Sequence, residues 1–74
     1  MSQKGQHVVP RGGKWGVRST GAERVSRLYA TQEEAIQQAR ERARRDGGEL
    51  YIHDRNGRIR EVSSFSRDSM PPKR

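Results

Sequence analysis

The sequence predicts an α+β domain: an antiparallel sheet of four to five short strands, in the order β-β-β-α-β-β, with one helix packed on one face. Three observations predict it. Residues 31–46, TQEEAIQQARERARRD, form the only long helical signal in the chain. Gly12-Gly13 and Asn56-Gly57 are two-residue hairpin turn signals, one on each side of that helix. The segments flanking both turns are short and rich in strand-forming residues, and they need a helix to pack against.

The chain starts with a polar stretch, Met1–Gly5, read as a flexible N-terminus. Residues 6–65 are read as the single domain. Gln6–Pro10 and Lys14–Thr20 read as two strands closed by Gly12-Gly13. That loop pairs Pro10 with Trp15, Val8 with Val17 and His7 with Arg18. Val8, Pro10, Trp15 and Val17 then share a face, and their apolar bulk points it at the helix. His7, Val9, Gly16 and Arg18 share the other. Pro10 has no amide proton to give, so the first strand either lies at an edge or ends there. Trp15 is read as a core anchor rather than a base-stacking platform. Arg24–Tyr29 reads as a third strand; its pattern does not decide which side is buried, and Leu28 is favoured inward.

Thr31 and Glu34 form a capping-box pattern, T-x-x-E. Glu33 and Glu34 sit at the positive end of the helix dipole, Arg44 and Arg45 at the negative end, and Gly47-Gly48 supply a left-handed stop. At about 100° per residue, Ala35, Ile36, Ala39 and Ala43 fall in one arc. A face made mostly of alanine allows close approach to a sheet but buries little area.

Glu49–Asp54 and Arg58–Val62 read as the second hairpin. A two-residue Asn56-Gly57 loop puts Ile59 on the face of Leu50 and Ile52, and Tyr51, His53, Arg60 and Val62 on the other. A three-residue loop would move Ile59 off that face. The register that groups the apolar residues is preferred. Phe65 is a candidate to dock on the core. Residues 66–74, SRDSMPPKR, read as a flexible basic tail.

Composition limits the function classes. The chain has 74 residues, 28% of them hydrophobic and 34% charged. It supports one small core, with stability low or shared with a partner chain. With no cysteine, disulfides, thiolate metal sites and cysteine nucleophiles are excluded. No apolar run suggests a signal peptide or a membrane span, so a cytoplasmic location is expected.

The net charge of +7 is uneven. Residues 1–30 carry six basic side chains against Glu23 alone. The helix segment balances, with four acids and four arginines. The excess points to nucleic acid as a partner, bound through Lys14, Arg18, Arg24 and Arg27. The alternative is a homodimer or a partner-binding protein that covers a thin sheet, with no nucleic-acid role.

No reaction is specified. His7 and His53 could meet if the hairpins pair, but neither has a carboxylate or thiol at metal-ligand spacing, so no metal site is expected. His53 and Asp54 are adjacent in a strand and point to opposite faces. No serine lies in a nucleophile elbow. Arg11-Gly12-Gly13-Lys14 is similar to part of a phosphate-binding loop but lacks the strand–loop–helix setting, and is read as a hairpin turn. The expectation is a protein that is not an enzyme, with no catalytic residue, cofactor or small-molecule substrate.

Taken together, certain residues resemble a known family. These are His7-Val8-Val9-Pro10, Gly13-Lys14-Trp15-Gly16-Val17, Thr31-Gln32-Glu33-Glu34-Ala35, Gly47-Gly48-Glu49-Leu50, Ile52-His53 and Asn56-Gly57-Arg58-Ile59, with Asp68 and Pro71-Pro72-Lys73 at the end. They are similar to the small bacterial domain-of-unknown-function family 2188, a resemblance that covers His7 to Lys73 and implies no established activity. A looser analogy links Trp15-Gly16-Val17-Arg18, the third strand and the Thr31 helix start to the three-stranded-sheet DNA-binding domain of phage-type integrases. Those domains lay a sheet face in the major groove. There the matching basic strand positions would be Lys14, Arg18, Arg24 and Arg27.

Overall fold

The computed structural model describes residues 5–65. Residues 1–4 and the tail 66–74 lie outside the described residues, while Gly5, read as part of the flexible start, is buried and opens the first strand. The elements are β1 (Gly5–Arg11), β2 (Lys14–Ser19), β3 (Arg27–Tyr29), α1 (Gln32–Asp46), β4 (Glu49–His53) and β5 (Ile59–Ser64). They form one helix and one five-stranded sheet in the order β3-β2-β1-β4-β5.

The sheet is mixed rather than purely antiparallel, because β1 and β4 pair in parallel. The chain path explains this. Strands β1, β2 and β3 alternate in direction through two antiparallel pairings. The helix, 15 residues long and so about 22 Å, then returns the chain to the starting end. β4 therefore runs the same way as β1, as in any strand–helix–strand crossover.

Both helix ends behave as the sequence requires. The Thr31 hydroxyl accepts from the Glu34 amide at 3.1 Å. Gly47 is left-handed, with φ 68°, and the Gly48 amide donates to the Ala43 carbonyl at 2.9 Å. Ala35, Ala39 and Ala43 are buried against Val8, Val17, Leu50 and Ile52. Trp15, Tyr29, Ile36 and Phe65 pack around them. Phe65 is held by its amide, which donates to the Gly48 carbonyl at 2.9 Å. The Arg44 guanidinium lies 5.8 Å from its ring centroid, a cation–π contact.

The first hairpin has the expected register, with Val8 opposite Val17 and Pro10 opposite Trp15. Gly12 and Gly13 have φ 57° and 83°, the pair of positive values that a type I′ turn needs. β1 is central, yet its ladder with β4 covers only Gly5–Val8. Pro10 lies beyond that ladder, where no amide proton is required of it on that side.

Three further expectations fail. The third strand is shorter than Arg24–Tyr29, and Leu28 does not point inward. It pairs with Gly16, on the face away from the helix, and is 47% exposed. Tyr29, opposite Trp15, takes the core position. Gly16 explains the choice. It leaves a gap that Val25 fills, and a Cβ on Gly16 would lie 2.6 Å from Val25 Cγ1 and 3.4 Å from Leu28 Cδ2.

Ile59 likewise does not join Leu50 and Ile52. It pairs with His53 and is 52% exposed. The Asp54 carboxylate captures the turn by accepting from the Asn56 amide at 2.9 Å and the Arg58 amide at 3.0 Å. The loop becomes a three-residue one, with Gly57 at φ 84°, the conformation of a type I turn with a glycine bulge. A second irregularity between Ile52 and His53 then restores Ile52–Glu61 and Tyr51–Val62.

Candidate functional site

The helix covers one sheet face and leaves the other open. Strand register arranges that open face into rows. Arg18, His7, Tyr51 and Val62 stand side by side across β2, β1, β4 and β5. Leu28, Gly16 and Val9 form a second row, and His53 with Ile59 continue it.

Side chains at the centre of this face are linked. The His7 and Tyr51 rings stack, with centroids 4.5 Å apart and planes 13° from parallel. His7 Nε2 lies 3.1 Å from Thr20 Oγ1, and His7 Nδ1 lies 3.1 Å from His53 Nε2. His53 Nδ1 lies 3.1 Å from the Gly57 carbonyl oxygen. A carbonyl only accepts, which sets the tautomers of the neutral rings. His53 donates through Nδ1, so its Nε2 accepts from His7 Nδ1–H, and His7 Nε2 accepts from the Thr20 hydroxyl. The chain reaches from the β1–β2 hairpin to the β4–β5 turn. Gly5 makes room for it, since a Cβ there would collide with Thr20 Oγ1 and crowd Tyr51.

Burial first, then electrostatic interaction with Arg18 and with His53, lowers the His7 pKa to about 4. An imidazole so weakly basic is a poor acceptor of a proton from Thr20. The chain therefore serves to lock the open face. Among the described residues no group of three or more His, Cys, Asp or Glu is placed to hold a metal ion. The stacked His7 and Tyr51 rings each cover one face of the other, and Arg18 and Val62 flank the pair in the row.

The candidate basic residues are dispersed. Lys14 and Arg18 share the open side of β2, as their spacing requires. Arg18 is half-buried, and its Nη1 donates to the Ala22 carbonyl at 2.9 Å. Arg24 is exposed in the β2–β3 connection, not in a strand. Arg27 is exposed in β3 opposite Val17, on the helix side. The structure thus does not gather the four into one cluster.

It gathers a different set. An open cavity of about 580 Å³ at the tip of the first hairpin is lined by Pro10, Arg11, Gly12, Gly13, Lys14, Trp15 and Arg55. Sequence reasoning singled out Lys14 but missed Arg11 and Arg55. Arg55 arrives from the second hairpin, and only the parallel β1–β4 pairing brings the two tips to the same end of the sheet.

These features define a small α+β domain: one capped helix on a mixed sheet, an open face linked by paired histidines, and a basic hairpin tip. The family described as "Uncharacterized protein conserved in bacteria (DUF2188)" matches residues 6–65, and the chain belongs to it. It is 36% identical over 59 residues to the uncharacterized protein YdaT of Bacillus subtilis (strain 168), an alignment covering 80% of this chain and 39% of that protein. The chain thus spans well under half the length of that relative. No solved structure matches the chain. Among the described residues no helix is long and apolar enough to cross a membrane.

Proposed function

We propose that this domain is a non-enzymatic binding module that holds nucleic acid by its phosphates, with little regard to sequence. The observation that carries this reading is the separation of charge. Between residues 5 and 30, Arg11, Lys14, Arg18, Arg24 and Arg27 face a single acid, Glu23, while the helix balances its own charges. Lys14, Arg24 and Arg27 are exposed and can reach a backbone. Arg18 contributes by holding the β2–β3 connection through the Ala22 carbonyl. Phosphate contacts position a protein without reading bases.

Fluorescence anisotropy with labelled duplex and single-stranded oligonucleotides tests the reading. With three phosphates neutralised, log K against log salt for duplex DNA falls with a slope of about −2.7. Arg24→Gln weakens binding to all sequences alike and flattens the slope by about one unit. No binding at low salt overturns the reading.

The exposed Leu28, Ile59 and Val62 on the open face favour a second reading, self-association of that face. The two differ in sign. Salt screens repulsion between copies that each carry +7 and so strengthens self-association, whereas it weakens phosphate binding. Sedimentation at two salt concentrations separates them.

A further inference from the structure

We infer that the cavity at the tip of the β1–β2 hairpin is a binding site for a terminal phosphate or diphosphate group carried on a planar base: a nucleotide or the phosphorylated end of a nucleic-acid strand. The site stands independently of the nucleic-acid reading above, because it concerns a dianionic group in one cavity rather than a row of backbone phosphates.

Charge is the first argument. Arg11, Lys14 and Arg55 line the cavity and all three are exposed. Among the described residues no carboxylate lines it. The nearest acid in sequence, Asp54, already accepts from the Asn56 and Arg58 amides. The Arg58 bond first, then the Asn56 bond and the charges of Arg58 and Arg60, hold its pKa below the usual range against the opposing effect of desolvation. It is therefore an ionised group committed to its own turn. Three cations exceed what one phosphodiester needs. They match a phosphomonoester, which carries about −1.5 to −2 at neutral pH, or a diphosphate. Two of the three are arginines, whose planar fork suits phosphate oxygens.

Access is the second argument. Gly12 and Gly13 leave the backbone of the tip bare, with nothing within 4 Å of where either Cβ would stand, so an anion can approach the turn closely. The third argument is Trp15, which is half-buried against the core yet also lines the cavity. Its ring gives the anion site one apolar, aromatic wall, which suits a ligand that joins a phosphate to a base. A second cavity, on the helix, lacks this character: Glu41 lines it beside Arg44 and Arg45, and an anion there would meet a carboxylate.

Trp15 is the only tryptophan, so its emission reports on the cavity directly. The full chain is titrated with inorganic pyrophosphate, with a nucleoside diphosphate, and with sodium chloride at matched ionic strength. A saturable change is expected with the first two and not with chloride. Arg11→Gln and Arg55→Gln each weaken it about tenfold, the loss of one charge-assisted contact, while Arg45→Gln, on the helix and outside the cavity, leaves it unchanged. Circular dichroism checks that each variant is folded.

A pyrophosphate response no different from chloride, or one that Arg45→Gln weakens as much as Arg11→Gln does, overturns the inference. Anisotropy with 5′-phosphorylated and 5′-hydroxyl oligonucleotides identifies the source. Preference for the phosphorylated end, lost in Arg55→Gln, assigns the site to nucleic-acid ends. A nucleoside diphosphate response without that preference assigns it to free nucleotides. If oligonucleotides do not bind while pyrophosphate does, the backbone-binding reading fails and this site remains.

Discussion

The two faces of the sheet are drawn from alternate residues of the same strands, yet they are held by different forces. On the helix side, Val8, Val17, Leu50 and Ile52 meet three buried alanines, and the binding force is apolar burial at close range. On the open side, a stacked ring pair and a Thr20–His7–His53–Gly57 chain link the strands. Large apolar residues there stay roughly half exposed. A small domain can therefore leave one side of its sheet free for binding, provided polar links keep that side in one arrangement. Damage to the alanine-packed core is expected to appear as lost stability, and damage to the Thr20–His7–His53 chain as altered pH response.

The largest expected effect tests the first half. Leu50 is fully buried in β4, and Ile59, opposite His53 on the other face of the same hairpin, is not. Leu50→Ala should cost about 2–5 kcal/mol, enough to unfold much of a domain this small. Ile59→Ala should stay within about 0.5 kcal/mol. Equal urea midpoints for the two variants would break the distinction between the faces.

Gly16→Ala comes next. Its new Cβ meets Val25 Cγ1 at 2.6 Å and Val25 Cβ at 3.0 Å, and a branched side chain cannot simply swing aside. Overpacking of this kind costs about 1–3 kcal/mol. Adding Val25→Ala should recover most of it in a double-mutant cycle, because the clash is with that one side chain. If the second change adds a loss instead, Val25 does not cover Gly16.

Much of this was legible in the sequence because local chemistry fixed it. The cap at Thr31, the stop at Gly47 and the turn at Gly12-Gly13 each have few alternatives, and all three occur as read. The readings that failed share a different cause. Asn56-Gly57 matches a two-residue turn, but Asp54 competes for the amides of Asn56 and Arg58 and wins a third loop residue, which turns Ile59 outward. Leu28 follows from a packing choice that Gly16, Val25 and Tyr29 make together, and no strand pattern contains it. The parallel β1–β4 pair depends on how the helix returns the chain. With it came the contact of His7 with His53 and the arrival of Arg55 beside Arg11. The basic residues of the candidate interface were legible by type, but their grouping was not, since one lies outside any strand and another is tied to Ala22.

Thr31→Ala sharpens the comparison from the helix side at smaller scale. The hydroxyl is the acceptor for the Glu34 amide, and its loss costs about 1 kcal/mol. Because the helix covers only one face, the spectral signature of the Trp15 environment should loosen while the His7–His53 resonances hold. An unchanged denaturation midpoint would show that another group caps the helix.

The smallest effect belongs to the open face and is read over a pH window. His7 has its pKa lowered from 6.5 to about 4 in the folded chain, chiefly by burial and then by Arg18 and His53. The unfolded chain therefore binds more protons on this ring than the folded chain does between those values. By linkage, the contribution of His7 to stability is complete above pH 6.5 and declines as pH falls toward 4. Carboxylates titrate in part of the same window, so the slope alone does not identify the ring. Subtracting the profile of His7→Gln does, because glutamine can still bond to Thr20 but takes up no proton. The difference between wild type and variant should be flat above pH 6.5 and should shrink steadily below it. In NMR, the His7 ring should titrate well below an exposed histidine, and its protonation should disturb His53 and Thr20 before any core residue moves. A His7 ring that titrates at the ordinary value, or a difference profile that stays flat into acid, would mean that the Thr20–His7–His53 chain does not hold the open face.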